Sequence, residues 1–217
     1  MAYLELFEQA ADHVRSQGVK VIFQRGKPLA ASAIERACKK SVIPIPASLA
    51  EFYAEVGEGL RLAWRSKKHG NAFASYEVPK LELCVVESFD SLRWRTEWDD
   101  NYAFPFTADP VLAKQTALKM RKWMRFYDLG NGDMFGLDTA FNPAPVVFDQ
   151  HDWLDGGTGE NGHRLADSLL QFYTDWAQVC FQFPRTCWWP TVLKKDGQYV
   201  DWNSDEFQGP FRLPGGR

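Results

Sequence analysis

Residues 126–153 read FYDLGNGDMFGLDTAFNPAPVVFDQHDW, and the rest of the chain is interpreted around them. Two apolar runs in this stretch flank Gly130-Asn131-Gly132-Asp133. An Asn-Gly pair between such runs is typical of a β-hairpin, because both residues adopt positive φ at low cost. A third apolar run, Val146-Val147-Phe148, follows a loop marked by prolines. The pattern predicts three consecutive strands of one sheet.

Residues 165–180 have the spacing of an amphipathic helix that would cover this sheet. Its apolar stripe consists of Leu165, Leu169, Phe172, Tyr173, Trp176 and Cys180. Earlier in the chain, periodicity predicts an N-terminal helix, a strand over 19–24, helices near 29–39 and 48–56, and alternating strands near 60–65 and 78–85. A helix ending near Trp98 and another from Asp109-Pro110 to about Trp123 complete the prediction.

Composition excludes several classes of function. The chain has 217 residues and a formal net charge of −3, so it lacks the cationic excess of a general nucleic-acid binder. No apolar run approaches the roughly 20 residues that span a bilayer, and the N-terminus lacks the pattern of a secretory signal. The four cysteines show no CxxC spacing, which favours reduced core thiols in a cytoplasmic protein.

One cluster has the residue types of a reaction centre. Asp149, His151 and Asp152 lie together, with His163 nearby. However, HExxH, HxE, CxxC and GxSxG are all absent, and the spacing around Gly132 does not fit a calcium loop. A polar loop after a strand is therefore the favoured interpretation, and an enzyme that uses Asp149, His151 and His163 is the alternative. We expect no metal and no cofactor.

A second group combines aromatic and acidic residues. Aromatic side chains with a charged rim are typical of protein interfaces, although the same tryptophans could belong to the core. The group consists of Trp94, Glu97, Trp98, Asp99 and Asp100. A basic group, Lys114, Lys119, Arg121, Lys122 and Arg125, is interpreted as a solvated helix face rather than a phosphate site.

The order of these motifs resembles that of the SUKH superfamily, which includes fungal cell-wall and glucan-synthesis regulators and bacterial immunity proteins against polymorphic toxins. The resemblance rests on IPASLAEFY with Val56-Gly57, on YDLGNGD with Leu137-Asp138, on PVVFD through His151-Asp152-Trp153, and on ADSLLQF from residue 166. It covers roughly residues 30–180. Residues 1–28, 103–123 and those after Cys180 look like additions to the usual smaller domain.

The resemblance implies an α+β fold with a single twisted, mainly antiparallel sheet packed by helices, and it carries no catalytic residues. We expect one domain over 1–217, with an N-terminal helical extension and an aromatic-rich C-terminal tail packed on the core. It further implies a cytoplasmic, non-enzymatic protein, a monomer or weak dimer, that neutralises a cognate toxin domain by binding it. A scaffold or regulator that binds another protein is the alternative.

The candidate partner-binding residues are the acidic and aromatic residues of two segments. An acidic surface would mimic an anionic substrate of the toxin and speed association by electrostatic steering. The set is Trp94, Glu97, Trp98, Asp99, Asp100, Asp149, His151, Asp152, Trp153, Asp155 and Glu160. The hairpin motif Gly130, Asn131, Gly132 and Asp133 is expected to be structural.

Overall fold

The computed structural model describes residues 2–86, 88, 109–151, 161–207 and 209–214. Its helices of nine or more residues are α1 (Tyr3–Ser16), α2 (Ala31–Lys40), α3 (Ala47–Glu55), α4 (Pro110–Met120) and α5 (Leu169–Gln178). The strands are β1 (Val21–Gln24), β2 (Arg61–Ser66), β3 (Ala72–Glu77), β4 (Trp123–Asp128), β5 (Met134–Asp138), β6 (Val146–Asp149) and β7 (His163–Ala166). Two 3-10 helices cover Lys67–His69 and Trp189–Val192. The fold is α+β, as expected.

The strands form two antiparallel sheets instead of the single sheet expected. One sheet has the order β1-β2-β3 and the other the order β4-β5-β6-β7. In the described chain, side chains rather than a backbone ladder connect the two. The rings of Tyr76 and Tyr127 stack with centroids 4.7 Å apart, and the Tyr127 hydroxyl donates to the Ser75 carbonyl at 3.1 Å.

Both sheets contribute to one aromatic core. Helices α1 and α5 pack against each other within it, through side chains that include Phe7 and Tyr173. The hydroxyls of Tyr76 and Tyr173 are hydrogen-bonded to each other inside this core. Burial raises the pKa of both phenols well above the ordinary value, so both remain neutral.

The C-terminal tail contributes large side chains to the same core. Trp189, Phe207 and Phe211 are almost completely buried. The Trp189 ring lies edge-on to Phe135 of β5 and to Trp176 of α5, with centroids 4.9 and 5.5 Å apart. Its burial follows from the large apolar area that each tryptophan removes from water.

The strand predicted over 78–85 is wrong, because residues 81–86 are helical. The alternation of Leu81, Leu83 and Val85 suggested a strand, but Leu83 is 49% exposed while Leu81 and Val85 are buried. The helical spacing of Leu81, Cys84 and Val85 decides the structure. The Glu58 carboxylate also accepts the Leu81 backbone N–H at 2.9 Å, which satisfies a donor in the first turn.

The helix predicted over 165–180 begins later than expected. Leu165 belongs to β7, and the Ser168 hydroxyl caps α5 by accepting the Gln171 N–H. The buried stripe Leu169, Phe172, Tyr173 and Trp176 matches the prediction. Cys180 lies beyond the helix with a φ of 53°.

Candidate functional site

The hairpin between β4 and β5 is confirmed, although its turn differs from the predicted one. The two strands pair in antiparallel register, and a loop of residues 129–133 joins them. The positive φ values fall on Gly130 (82°) and Gly132 (94°), the two glycines that flank Asn131. The Asn131 amide instead donates to Asp133 at 2.8 Å, so it braces the loop through its side chain.

Gly132 and Asp133 connect this hairpin to the end of β6. Asp133 is 2% exposed, and its Oδ1 accepts the His151 backbone N–H at 3.0 Å, with the His151 ring Nδ1 3.4 Å away. A Cβ atom on Gly132 would lie 2.8 Å from Cγ of His151. Only glycine therefore lets the imidazole pack this closely on the turn.

Asp149 is the centre of a buried ion pair. Its side chain is completely inaccessible, and Oδ2 accepts from Arg125 Nε at 2.9 Å and from Nη2 at 2.6 Å. These residues come from β6 and β4, on the face of the four-stranded sheet that packs against α4 through Trp123 and Val147, called the outer face below. Because the carboxylate is enclosed, Asp149 does not belong to an exposed acidic surface. Arg125 likewise is not part of the solvated basic face that the sequence suggested.

Asn161 closes the segment that joins β6 to β7. Its Nδ2 donates to Asp149 Oδ1 at 3.0 Å and to the Gln150 carbonyl at 3.1 Å. Its Oδ1 accepts the N–H groups of Gln150 at 2.9 Å and of Gly162 at 2.8 Å. One side chain thus fixes the residues before and after segment 151–160 and couples them to the Arg125–Asp149 pair. Arg125, Asp133, Asp149 and Asn161 are called the polar base below.

The three residues of the enzymatic alternative have separate partners. Asp149 binds Arg125 and Asn161, whereas His151 lies against Asp133. His163 Nδ1 lies 3.0 Å from the Gly197 carbonyl in the C-terminal tail. The described contacts therefore do not join Asp149, His151 and His163 into a catalytic relay.

Most of the predicted partner-binding residues lie outside the described residues. Of that set, only Asp149 and His151 are described, and the His151 side chain is 48% exposed. The others are Trp94, Glu97, Trp98, Asp99, Asp100, Asp152, Trp153, Asp155 and Glu160. In sequence, Asp149 and Asn161 of the polar base therefore flank the remaining residues of the second predicted group.

The cysteines differ in their environments. All four are described, and none forms a disulfide. Cys38 and Cys187 are exposed, contrary to the prediction of core thiols, whereas burial raises the pKa of the Cys180 thiol to about 12. Among the described residues, no group of three metal-ligating side chains occurs. No described helix has the length and apolar composition that crossing a membrane requires.

A cleft of about 390 Å³ opens on the outer face of the four-stranded sheet. Helix α4 forms one wall with Leu112, Thr116 and Lys119, and the tail turn with Asp196 and Gln198 forms another. The Trp123 ring lies at the sheet wall, next to Asp138 and Phe141. The Asp109 carboxylate caps the start of α4 by accepting the N–H groups of Val111 and Leu112.

Comparisons with known proteins add no assignment. The sequence matches no protein-family model and no curated protein. The resemblance to the SUKH superfamily therefore stays a prediction that rests on the order of motifs.

Sequence reasoning missed Asn161 and the cleft. The Asn161-Gly162 pair was a visible turn signal, and Gly162 has a φ of 80°. A Cβ atom on Gly162 would overlap the Trp123 ring. The local sequence around Gly162 could not reveal this close contact. Arg125 gave no such signal, because its partner Asp149 lies 24 positions away in sequence.

Proposed function

We propose that this chain is a cytoplasmic, non-catalytic immunity protein that binds and neutralises a cognate toxin domain. The single observation that supports this most is the polar base, which holds the residues on either side of 152–160. That segment carries Asp152, Trp153, Asp155 and Glu160, the residue types of a protein interface. The order of SUKH-like motifs supplies the expected kind of partner.

The polar base supports a binding role because several hydrogen bonds hold its members in place. Four hydrogen bonds that involve the Asn161 side chain fix Gln150, Gly162 and Asp149. The Arg125 guanidinium donates twice to Asp149 Oδ2 and so holds Asp149 from β4, across β5. Functional loops on a fixed scaffold lose less conformational entropy when a partner binds. An acidic and aromatic segment that begins and ends on such a base suits recognition of another protein.

The engagement of the carboxylates also favours binding over acid–base chemistry. A general base needs a lone pair within reach of substrate. Asp149 is enclosed by Arg125 and Asn161, and Asp133 is buried while it accepts from Asn131 and His151. Asp149 therefore serves to hold two side chains in place, and Asp133 serves to hold the Asn131 side chain and the His151 backbone.

Co-expression with the toxin domain encoded immediately upstream tests the proposal. We expect rescue of growth and co-purification of the two proteins. Failure of rescue together with co-purification of an unrelated host protein would favour the scaffold or regulator. Failure of both, together with turnover of a substrate that is lost in His151→Ala, would favour the enzymatic alternative.

Charge variants test how the partner is recognised. Changing Asp152, Asp155 and Glu160 to their amides should slow association and weaken its dependence on salt, because steering depends on the charge of the surface that meets the partner. Asp12→Asn is the control, since Asp12 is exposed on α1 and pairs only locally with Arg15. Equal association rates for both variants would contradict recognition through segment 152–160.

A further inference from the structure

A carboxylate at the wall of the cleft beside α4 has no ion-pair partner among the described residues. Asp138 ends β5, and its Oδ1 accepts the Ala140 N–H at 3.0 Å in a local turn. No lysine or arginine of the described residues forms an ion pair with it. Burial raises its pKa despite the opposing effects of the Trp123 indole and of Lys119 and Lys122. The existing cations therefore do not compensate the loss of hydration.

The Trp123 indole is the second polar group at this wall. Trp123 and Asp138 are register partners across β4 and β5. The indole N–H lies close enough to Asp138 to favour its charged form. The two groups do not form a hydrogen bond, and Nε1 is buried with no hydrogen bond in the described part of the chain. A donor brought to Asp138 from the cleft would complete the solvation that this N–H provides only in part.

Apolar surface lies next to the carboxylate. Phe141 lines the cleft with 59% of its surface exposed, and its backbone N–H donates to the Asp138 carbonyl at 3.3 Å, which keeps the two residues together. An aromatic face beside a carboxylate suits a cation on an aliphatic stem, since the ring attracts the charge and covers the methylene groups.

The cations that line the same cleft do not occupy this position. Arg164 forms an ion pair with Asp167 at 2.8 Å, and its guanidinium lies 6.0 Å from the centroid of the Tyr199 ring. Lys119 is exposed on the last turn of α4.

We infer that this cleft binds a guanidinium or ammonium group, with Asp138 as its anionic receptor and Phe141 as the surface that covers its aliphatic stem. The inference is independent of the proposed function. Two sources share this chemistry, a free amino acid or amine and a basic side chain within a polypeptide.

NMR titration of the 15N-labelled full chain tests the inference. The reporters are the Trp123 indole N–H, assigned with Trp123→Phe, and the Ala140 amide. The probes are L-arginine, L-lysine and the peptide Gly-Gly-Arg-Gly-Gly, and the neutral isosteres L-citrulline and Gly-Gly-citrulline-Gly-Gly are the controls. We expect saturable shifts with the cationic probes at millimolar concentration and none with the citrulline compounds. Shifts with free arginine alone assign a small-molecule ligand, and shifts with the peptide alone assign a polypeptide.

Two variants locate the site. Asp138→Asn keeps the acceptor for the Ala140 N–H and should weaken binding by about tenfold or more, because a charge-assisted hydrogen bond is lost. Asp128→Asn is the control, since Asp128 ends β4 and accepts the Gly130 N–H in the same kind of turn. Phe141→Ala removes an exposed ring and should weaken binding without affecting folding. No shifts with any cationic probe, equal binding of citrulline, or unchanged binding by Asp138→Asn would overturn the inference.

Discussion

The residues that organise the sheet's outer face are paired charges and amides rather than reactive groups. Arg125 and Asp149 meet across the width of β5, and Asn161 satisfies the second carboxylate oxygen. Taking two ions out of water is costly, so such a pair holds only while both members and their hydrogen bonds are present. The pair therefore specifies the position of β4 and β6 more than it adds to stability.

Removing one member of this pair should be more harmful than replacing both. Arg125→Met leaves Asp149 buried without its cation, and we expect a loss of about 3–5 kcal/mol in the free energy of unfolding. The double variant Arg125→Met with Asp149→Leu should lose clearly less than the sum of the two single changes. Urea denaturation of all four proteins measures this coupling. Additive losses would contradict a coupled buried pair.

Asp138 gives a prediction for the dependence of stability on pH. Burial raises its pKa in the folded protein above the value in the unfolded chain. The folded state therefore binds the proton of Asp138 more tightly than the unfolded state does. The stabilisation that this group contributes is fully present at strongly acidic pH and is lost as pH rises through the pKa of Asp138 in the folded protein. Asp138→Asn should therefore gain stability relative to the parent at neutral pH and lose that gain in acid. Urea denaturation at both pH values measures the difference, and a constant difference would contradict the sign.

At the scale of elements, the end of α3 depends on one glycine. Gly57 has a φ of 77°, and a Cβ atom there would overlap the backbone of Lys27 and Pro28. The neighbouring residue Glu58 exchanges two backbone hydrogen bonds with Lys27, at 2.8 and 3.1 Å. The glycine thus permits α3 to end directly against the segment that follows β1.

Gly57 and Gly59 have similar positive φ values, so alanine substitutions at both positions distinguish the cost of backbone strain from the cost of steric overlap. Gly59 has a φ of 72°, but a Cβ atom there would meet nothing within 4 Å beyond its chain neighbours, so Gly59→Ala should cost only about 1–2 kcal/mol of left-handed strain. Gly57→Ala should cost more, because the same strain is joined by overlap with Lys27 and Pro28. Thermal and urea unfolding measure both variants. Equal losses would show that the contact with residues 27–28 relaxes freely.

At the scale of the whole molecule, the C-terminal tail completes the core of both sheets. Trp189 contacts Phe135, Trp176 and Phe183, with ring centroids between 4.9 and 6.2 Å away. The Phe183 backbone N–H donates to the Phe73 carbonyl of β3 at 3.0 Å. Residues after α5 therefore touch β3 and β5, one strand of each sheet.

Two tryptophans of this core should respond differently to the same substitution. Trp189 Nε1 is buried without a hydrogen bond in the described chain, whereas Trp176 Nε1 donates to the Gln182 carbonyl at 2.9 Å. Trp189→Phe removes an unsatisfied donor, so it should cost less than Trp176→Phe, which removes a buried hydrogen bond. Trp189→Ala should cost about 3–5 kcal/mol through the cavity it leaves. Urea denaturation ranks the three, and a larger loss for Trp189→Phe than for Trp176→Phe would contradict the assignment.

Features that depend on near neighbours along the chain could be predicted from the sequence. The Gly130–Asp133 hairpin, the cap of α4 at Asp109-Pro110 and the stripe of α5 follow from turn chemistry, capping and periodicity. Residues 78–85 misled the prediction because their apolar positions fit both periods, and the distant Glu58 carboxylate supplied the helix's first-turn acceptor. The α+β class could be predicted, while the division into two sheets could not.

The pairs of polar residues that face each other depend on how the chain folds in three dimensions. Arg125, Asp149 and Asn161 converge from three segments, and Trp123, Asp138 and Gly162 do so at the cleft. The local sequence pattern carries no information about such pairs. Each of these residue types is common on a solvent-exposed surface, and only the folded sheet brings it close to its partner. The same is true of burial: Asp149 and Arg125 are ordinary surface residues by type, and the register of β4, β5 and β6 encloses them together. Pairing across strands is a property of the folded sheet, which is why the candidate site required the structure.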